Sequence, residues 1–419
     1  MSNQLSLEMW LARIEAGHPT EIDMGLERVA QVAKLMGIGF SGTKVITVAG
    51  TNGKGSTTTL LDAILRASGA RTGVFTSPHF LHYNERIQIQ GEPVSDAAIC
   101  DAFSYIDQCR KDISLTYFEF GTLAALQIFN KAELDYVILE VGLGGRLDAV
   151  NIIDADAAIL TSVALDHTDW LGDTLEKIGY EKAGVFRAGK PAVCGLAQPP
   201  ASVIEHAGAI GAELYRRGVD FDLVHEGDLW SWHGQDAQGE TLSYEHLPRP
   251  NLPLANAPSV LQTLALVAPE VGISAIKKGL VEAQMMGRMQ RERLGQSPMI
   301  LDVAHNPEAA SYLAMRIQDL QIGGKVRLIL GMLSDKDRGA VIAALAPVVD
   351  EWHLVSLQGP RASTAAQLQS YLSQTAWHYA NVAEALDRLS GSTQAEDLVL
   401  VCGSFLTVTE ALEWLIARA

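Results

Sequence analysis

Apolar residues along this chain follow two periods. Short continuous runs of β-branched and aliphatic residues at 45–49, 72–77, 135–141, 157–163 and 191–195 read as strands covered on both faces. Between them apolar residues recur at helical spacing: Leu60, Leu61, Ile64 and Leu65 in one stretch, 94–110 in the next, then Leu123, Leu126 and Phe129. Strand and helix in alternation predict a parallel sheet with helices on its faces. Leu7, Trp10, Leu11 and Ile14 share one face of an N-terminal helix, and the stretch after Asp23 is expected to complete a packed helix pair. From about 214 to 250, Arg216, Arg217, Trp230 and Trp232 flank the turn-rich 234–239, which predicts a small antiparallel sheet. Helices are expected from near Asn256 and over 276–284. The polar, helix-poor stretch 288–297 reads as a linker. Beyond it the alternation restarts, with strands at 299–304, 326–331, 352–355 and 398–403 and helices at 309–319 and 408–416. Two α/β domains follow, 1–287 and a smaller one at 298–419.

Composition narrows the class. The 419 residues are 48% hydrophobic and 19% charged, a globular profile long enough for two or three domains. No apolar run long enough to span a membrane, signal peptide or lipidation motif is evident, so a cytoplasmic protein is expected, and a monomer. With 32 basic against 49 acidic side chains, the net charge of -17 disfavours nucleic acid or an anionic membrane as partner. Any anionic ligand must be captured by local loops. Cys100, Cys109, Cys194 and Cys402 form no CxxC pair and read as reduced thiols.

The chemistry concentrates first at 44–57. A buried strand runs into Gly50, Thr51, Asn52, Gly53, Lys54, Gly55, Ser56 and Thr57, and a helix starts there. Glycines let the backbone turn tightly and bring N–H groups against an anion at the helix N-terminus, where the dipole favours negative charge. Lys54 would reach the outer phosphates, and Ser56 or Thr57 would offer a hydroxyl to Mg²⁺. An extra glycine between the lysine and the hydroxyl residue departs from the standard phosphate-loop string. The first domain is thus expected to be P-loop ATPase-like, and the second Rossmann-like.

Other candidates lie at strand ends, where doubly wound sheets collect ligands. Ser77 could address a metal or phosphate. Glu140 places a carboxylate in an apolar strand, for which a Mg²⁺ beside the phosphate loop is the obvious compensation and a structural salt bridge the alternative. His167 reads as a metal ligand or as a surface-loop histidine. Lys182, from its neighbours alone, reads as an exposed helix lysine paired with a glutamate. In the second domain Asp302, His305 and Asn306, with Ser404, sit at strand ends; helix capping explains some of these residue types as well as ligand binding does.

Taken in order, Gly50 to Ser56, Ser77-Pro-His, Leu115 to Glu119, Glu140 to Asp148, Leu165 to Gly172, Glu181 to Gly184, Asp302 to Pro307 and Cys402 to Phe405 resemble one family. It is that of the bifunctional dihydrofolate synthase/folylpolyglutamate synthases, within the Mur ligase superfamily. The resemblance covers essentially the whole chain. It implies an ATP-dependent ligase of folate biosynthesis and one-carbon metabolism that joins L-glutamate to dihydropteroate, and then to the γ-carboxylate of tetrahydrofolates, through an acyl phosphate. It also implies catalytic roles for Lys54, His167 and Lys182, the last carboxylated on its amine. ATP would be held by the 50–57 loop with Asn256, Arg288 and Asp302. Ser56, Ser77 and Glu140 would serve one Mg²⁺ and His167 a second. Thr116, Tyr117, Phe118 and Glu119 with Leu147, Asp148 and Ala149 would form the pteroate pocket, Phe118 stacking on the pterin, and His305 and Ser404 would hold the glutamate. Two other readings are kept beside it. A Mur-type ligase of cell-wall precursors would need a further N-terminal domain, for which the roughly 45 residues before the loop leave no room. A non-catalytic nucleotide-gated protein would explain the loop and Glu140 but not the strand-end cluster of the second domain.

Overall fold

The computed structural model describes residues 5–20, 22–227 and 229–418. Two compact units divide between Ala283 and Gln284. In the first, strands β1 (Lys44–Ala49), β2 (Thr72–Phe75), β3 (Ile87–Ile89), β4 (Glu92–Pro93), β5 (Tyr136–Glu140), β6 (Ala157–Leu160), β7 (Pro191–Cys194) and β8 (Glu213–Arg216) form one sheet. Its order is β4-β3-β2-β5-β1-β6-β7-β8, parallel except at the β3 and β4 edge. From β1 the chain winds out to one side as far as β4, returns through β5 and then crosses to β6 on the other. This reversal makes the carboxyl end of β1 a topological switch point, where such sheets place ligands. Val45, Ile46, Val48, Val137, Ile138 and Leu139 are buried to 2% exposure or less, as continuous apolar runs require.

The anticipated helix pair is present as Leu7–Glu15 and Glu27–Met36, with Trp10, Ile14, Val29 and Val32 in the core. The small antiparallel sheet consists of β9 (Asp222–Glu226), β10 (Leu229–Gln235) and β11 (Thr241–Pro248). Trp230 and Trp232 are fully buried in it, Trp232 stacked on Tyr244 with ring centroids 5.1 Å apart. Arg216 does not belong there. It ends β8, which pairs in parallel with β7 and extends the large sheet, because a helix at Ala201–Ile210 separates the two strands and makes a parallel crossover.

In the second unit β12 (Gln290–Leu294), β13 (Ser297–Asp302), β14 (Val326–Leu330), β15 (Glu351–Val355), β16 (Trp377–Tyr379) and β17 (Leu398–Cys402) form a sheet of order β12-β13-β17-β14-β15-β16. The segment 288–297, expected as a linker, is instead largely β12, hairpinned antiparallel onto β13 through Gly295 at φ 60°. Its polar composition reflects an edge strand with an exposed face, which lacks the apolar signature of the central strands. β16 carries as little signal, being three residues long and mostly exposed. Among the described residues no helix is long and apolar enough to cross a membrane.

Candidate active site

Strand register assembles the first half of the site. Val48 pairs with Glu140 and Phe75 with Leu139, so Glu140, the start of the phosphate loop and Ser77 arrive at one level beyond the sheet. The Ser77 N–H donates to Glu140 Oε2 at 3.3 Å, and Glu140 is only 4% exposed. Gly50 and Gly53 take φ values of 152° and 86°, the positive region that a side chain strains. The loop is braced on the end of β6: Thr51 N–H donates to the Ser162 carbonyl at 3.0 Å, Asn52 N–H to Ser162 Oγ at 2.8 Å, and Thr161 Oγ1 to the Asn52 carbonyl at 2.7 Å. Lys54 Nζ donates to the carbonyls of Gly50 (3.0 Å) and Thr51 (3.3 Å). Asn256 lies against the turn, since a Cβ on Gly53 would meet its Oδ1 at 2.7 Å. Among the described residues, buried Asn256 Nδ2 and Thr57 Oγ1 have no hydrogen-bond partner. Polar groups orphaned this way beside a helix N-terminus fit a polyphosphate nucleotide.

Lys182 differs from its expected role as an exposed lysine. It is 4% exposed, and its Nζ donates to the Gly50 carbonyl at 3.0 Å. Burial, reinforced by the Lys54 ammonium, depresses its pKa to about 7, while Asp166 and Asp148 pull the other way. Glu181 pairs with Arg146 instead, at 2.8 Å. Burial also raises Asp148 to about 6, against the N–H bonds of Leu143, Val150 and Gly142 and the charge of Lys54. Two shifted groups, Lys182 and Asp148, therefore lie together at the loop, both acted on by the charge of Lys54, a concentration of shifts that marks functional sites.

Next to this cluster lies a cavity of about 780 Å³, within the range of small-molecule pockets. Ser77, His167, Thr116, Tyr117, Phe118, Glu119, Leu147, Asp148 and Ala149 all line it. Thr116 caps the helix Tyr117–Lys131 in a capping box with Glu119, which fixes the first turn and the aromatic pair at 117 and 118. Phe118 packs over Gly142 and sits 5.8 Å from Phe75, centroid to centroid. His167 is half-exposed, with a positive φ of 51°, just ahead of the short helix Thr168–Leu171. The wall also contains residues that sequence reasoning passed over: His18, Pro19, Thr20, Ile22, Asp23, Met24 and Arg86. Residues 19–25 carry no periodic signal. Only their tertiary position gives them a role.

Among the described residues no three His, Cys, Asp or Glu side chains gather as an all-protein metal cage. One buried carboxylate, Glu140, with Ser77 beside it and His167 on the adjoining cavity, makes a sparse donor set. That set fits Mg²⁺, which keeps several waters and takes phosphate oxygens as ligands.

In the second unit Asp302 lies level with Cys402, so the ends of β13 and β17 bring Asp302, His305 and Ser404 to one edge of the sheet. Asp302 accepts the N–H groups of Met289 and Ala304 at 2.9 Å each, and burial raises its pKa while Arg288 opposes the rise. His305 Nδ1 is 2.8 Å from the Val303 carbonyl. Ser404 caps the helix Phe405–Ile416, its Oγ 2.7 Å from Thr407 Oγ1 and accepting the Thr407 N–H at 3.1 Å. Asn306 likewise caps Pro307–Asp319. Capping thus engages the side chains of Ser404 and Asn306.

The Mur ligase middle domain matches residues 48–208, and the Mur ligase, glutamate ligase domain matches residues 287–405. The dihydrofolate synthase/folylpolyglutamate synthase of Escherichia coli (strain K12) is 47% identical over 413 residues, 98% of this chain and 96% of that protein. The chain belongs to the dihydrofolate synthase/folylpolyglutamate synthase family. A relative of the same name from Haemophilus influenzae is 41% identical, with 96% of each chain covered. The solved structure of E. coli FolC in complex with DHPP and ADP superposes with a TM-score of 0.93 at 46% identity, covering 99% of this chain and 98% of that one. The Yersinia pestis bifunctional enzyme complexed with AMPPNP and Mn ion gives 0.92 at 48% identity, with 98% of each covered. The family resemblance read from the motifs therefore holds over the full length, and with it the α/β architecture of the Mur ligases.

Proposed function

We propose that this protein ligates L-glutamate to dihydropteroate, giving dihydrofolate, and to the γ-carboxylate of tetrahydrofolates, at the expense of ATP. The observation that carries this reading is that one cavity joins Ser77 and His167 to Thr116–Glu119 and Leu147–Ala149, beside buried Lys182 and half-buried Lys54. A carboxylate is a poor acyl donor at neutral pH. ATP converts it to an acyl phosphate, the glutamate amine attacks the acyl carbon, and phosphate leaves through a tetrahedral intermediate. The protein's share is positioning and neutralisation of charge.

In this reading Lys54 and the loop N–H groups hold the phosphates, and Asn256 contacts the nucleotide from beside Gly53. Arg288 and Asp302 are further nucleotide contacts, and His305 and Ser404 contact the glutamate. Ser56, Ser77 and Glu140 would hold one Mg²⁺ and His167 a second; bound there, the ions supply charge neutralisation of the phosphate oxygens. Lys182 carries a carbamate, formed when its neutral amine adds to CO₂ and loses a proton. A pKa of about 7 supports this, because roughly half of the amine is then neutral near pH 7, against about three ten-thousandths for an ordinary lysine. The enzyme acts as a cytoplasmic monomer, a part of the reading that rests on composition. Sedimentation velocity tests the oligomeric state.

The deciding experiment is phosphate release from MgATP with dihydropteroate and L-glutamate added singly and together, followed by mass analysis. Release with both, and a product heavier by one glutamyl residue, is expected. Turnover with tetrahydrofolate alone would reduce the reading to a folylpolyglutamate synthase. No turnover with either substrate would favour a non-catalytic nucleotide-binding protein.

A further inference from the structure

Two walls of the cavity are bolted together from behind by one arginine. Arg28, on the first turn of the helix Glu27–Met36, donates from Nη1 to Asp23 Oδ2 at 2.8 Å and from Nη2 to the Asp23 carbonyl at 3.0 Å. The same Nη2 donates to Glu119 Oε1 at 3.0 Å. Asp23 and Glu119 both line the cavity, whereas Arg28 does not. Glu119 is buried to 3% exposure, and its other oxygen accepts the Thr116 N–H at 2.7 Å, so the guanidinium is wired directly into the capping box that presents Thr116, Tyr117 and Phe118. Arg28 Nε is itself buried and, among the described residues, unpaired. The far end of the same segment has its own tie, His18 Nδ1 to Ser114 Oγ at 2.5 Å. His18, Pro19, Thr20, Ile22, Asp23 and Met24 border a second cavity of about 660 Å³ as well, so these residues form a partition shared by two cavities.

We propose that Arg28 is a positioning residue for the pteroate substrate: it holds the partition around Asp23 at a fixed distance from the 116–119 turn, and so sets the width of the cavity. The inference rests on the proposed function for the identity of the substrate, but the strut itself is a property of the fold. A planar guanidinium holds its donors in a fixed fork, here meeting Asp23 with Nη1 and both Asp23 and Glu119 with Nη2; an ammonium is a single point on a flexible stem and cannot reproduce that spread. The described residues of this partition lie outside every helix and strand, so it depends on such ties.

The test compares the wild-type enzyme with Arg28→Lys and with Asp23→Asn, which loosens the partition without touching buried Glu119. Steady-state kinetics should show KM for dihydropteroate raised roughly tenfold in Arg28→Lys, the scale of a loosened positioning contact, with KM for ATP unchanged. Asp23→Asn should show the same signature, smaller. Hydrogen exchange read by mass spectrometry should speed up at both 19–25 and 114–119 in Arg28→Lys and stay unchanged at 50–57. KM values that rise in parallel for both substrates, or a fall in kcat alone, would overturn the positioning role. Unaltered exchange in either wall would overturn the strut. Should Arg28→Lys fail to fold, Asp23→Asn decides by the same two readouts. An absence of pteroate turnover in the wild type would refute the functional reading, and exchange would still decide the strut.

Discussion

Replacing Lys182 by methionine removes a buried charge while keeping the length of the side chain. The structure sets the size of the effect. The pKa falls from 10.5 to about 7 on folding, mainly through burial, and at 1.36 kcal/mol per unit this corresponds to about 5 kcal/mol of penalty for the charged form, an upper bound that water entering the site would shrink. The sign follows from proton counting. Between about pH 7 and 10.5 the unfolded chain holds a proton that the folded protein has released, so stability rises with pH across that window. The whole penalty is present below about pH 7. From about pH 6 to pH 9 this residue alone should raise the wild type's stability by up to about 3 kcal/mol, and Lys182→Met should lack that rise while being the more stable protein at the lower pH. Urea unfolding at the two pH values, followed by circular dichroism in CO₂-free buffer, measures it. Bicarbonate should further stabilise the wild type and leave the variant unmoved, because only a folded, neutral amine forms the carbamate. Ligase activity should be lost in the variant throughout. Parallel pH profiles for the two proteins would show that Lys182 is solvated and would refute the reasoning.

The remaining expectations are briefer. Lys54→Ala should abolish turnover of both substrates, whereas Phe118→Ala, which removes a ring packed over Gly142, should weaken dihydropteroate use selectively; equal loss of both activities in the Phe118 variant would contradict the assignment. His353 is buried and held neutral, its pKa lowered to about 4 from 6.5 despite the opposing charge of Glu351, so stability contributed by the second unit should fall as pH drops from about 6.5 towards 4. His353→Phe should flatten that fall in an acid titration followed by circular dichroism, and an unchanged profile would count against it. Gly279, on the helix Ile273–Glu282, faces the Ile64 backbone so closely that a Cβ would lie 2.7 Å from its nitrogen. Gly279→Val should therefore cost about 1–3 kcal/mol, read as a lowered Tm by calorimetry.

The strands of both units were legible because central parallel strands are apolar on both faces, a signature complete in β17 and broken by only one or two residues in β1, β5 and β14. The phosphate loop was legible for a related reason: positive φ at Gly50 and Gly53 demands glycine locally, so the chemistry leaves a mark within a few residues. Edge elements escaped. β12 looks like a linker and β8 like part of the small sheet, since an edge strand needs little apolar surface and takes its partner from elsewhere in the chain.

The sequence by itself determined the order of α/β elements, the anion-binding turn and, through its ordered motifs, the family. What only the tertiary structure decided is which side chains lose water and whom they meet. Lys182 stands beside a glutamate in the sequence, yet it is buried against the Gly50 carbonyl, while that glutamate turns to Arg146. Arg28 and Glu119 lie 91 positions apart and form one strut. Desolvation and long-range pairing are properties of packing, and no local pattern encodes them.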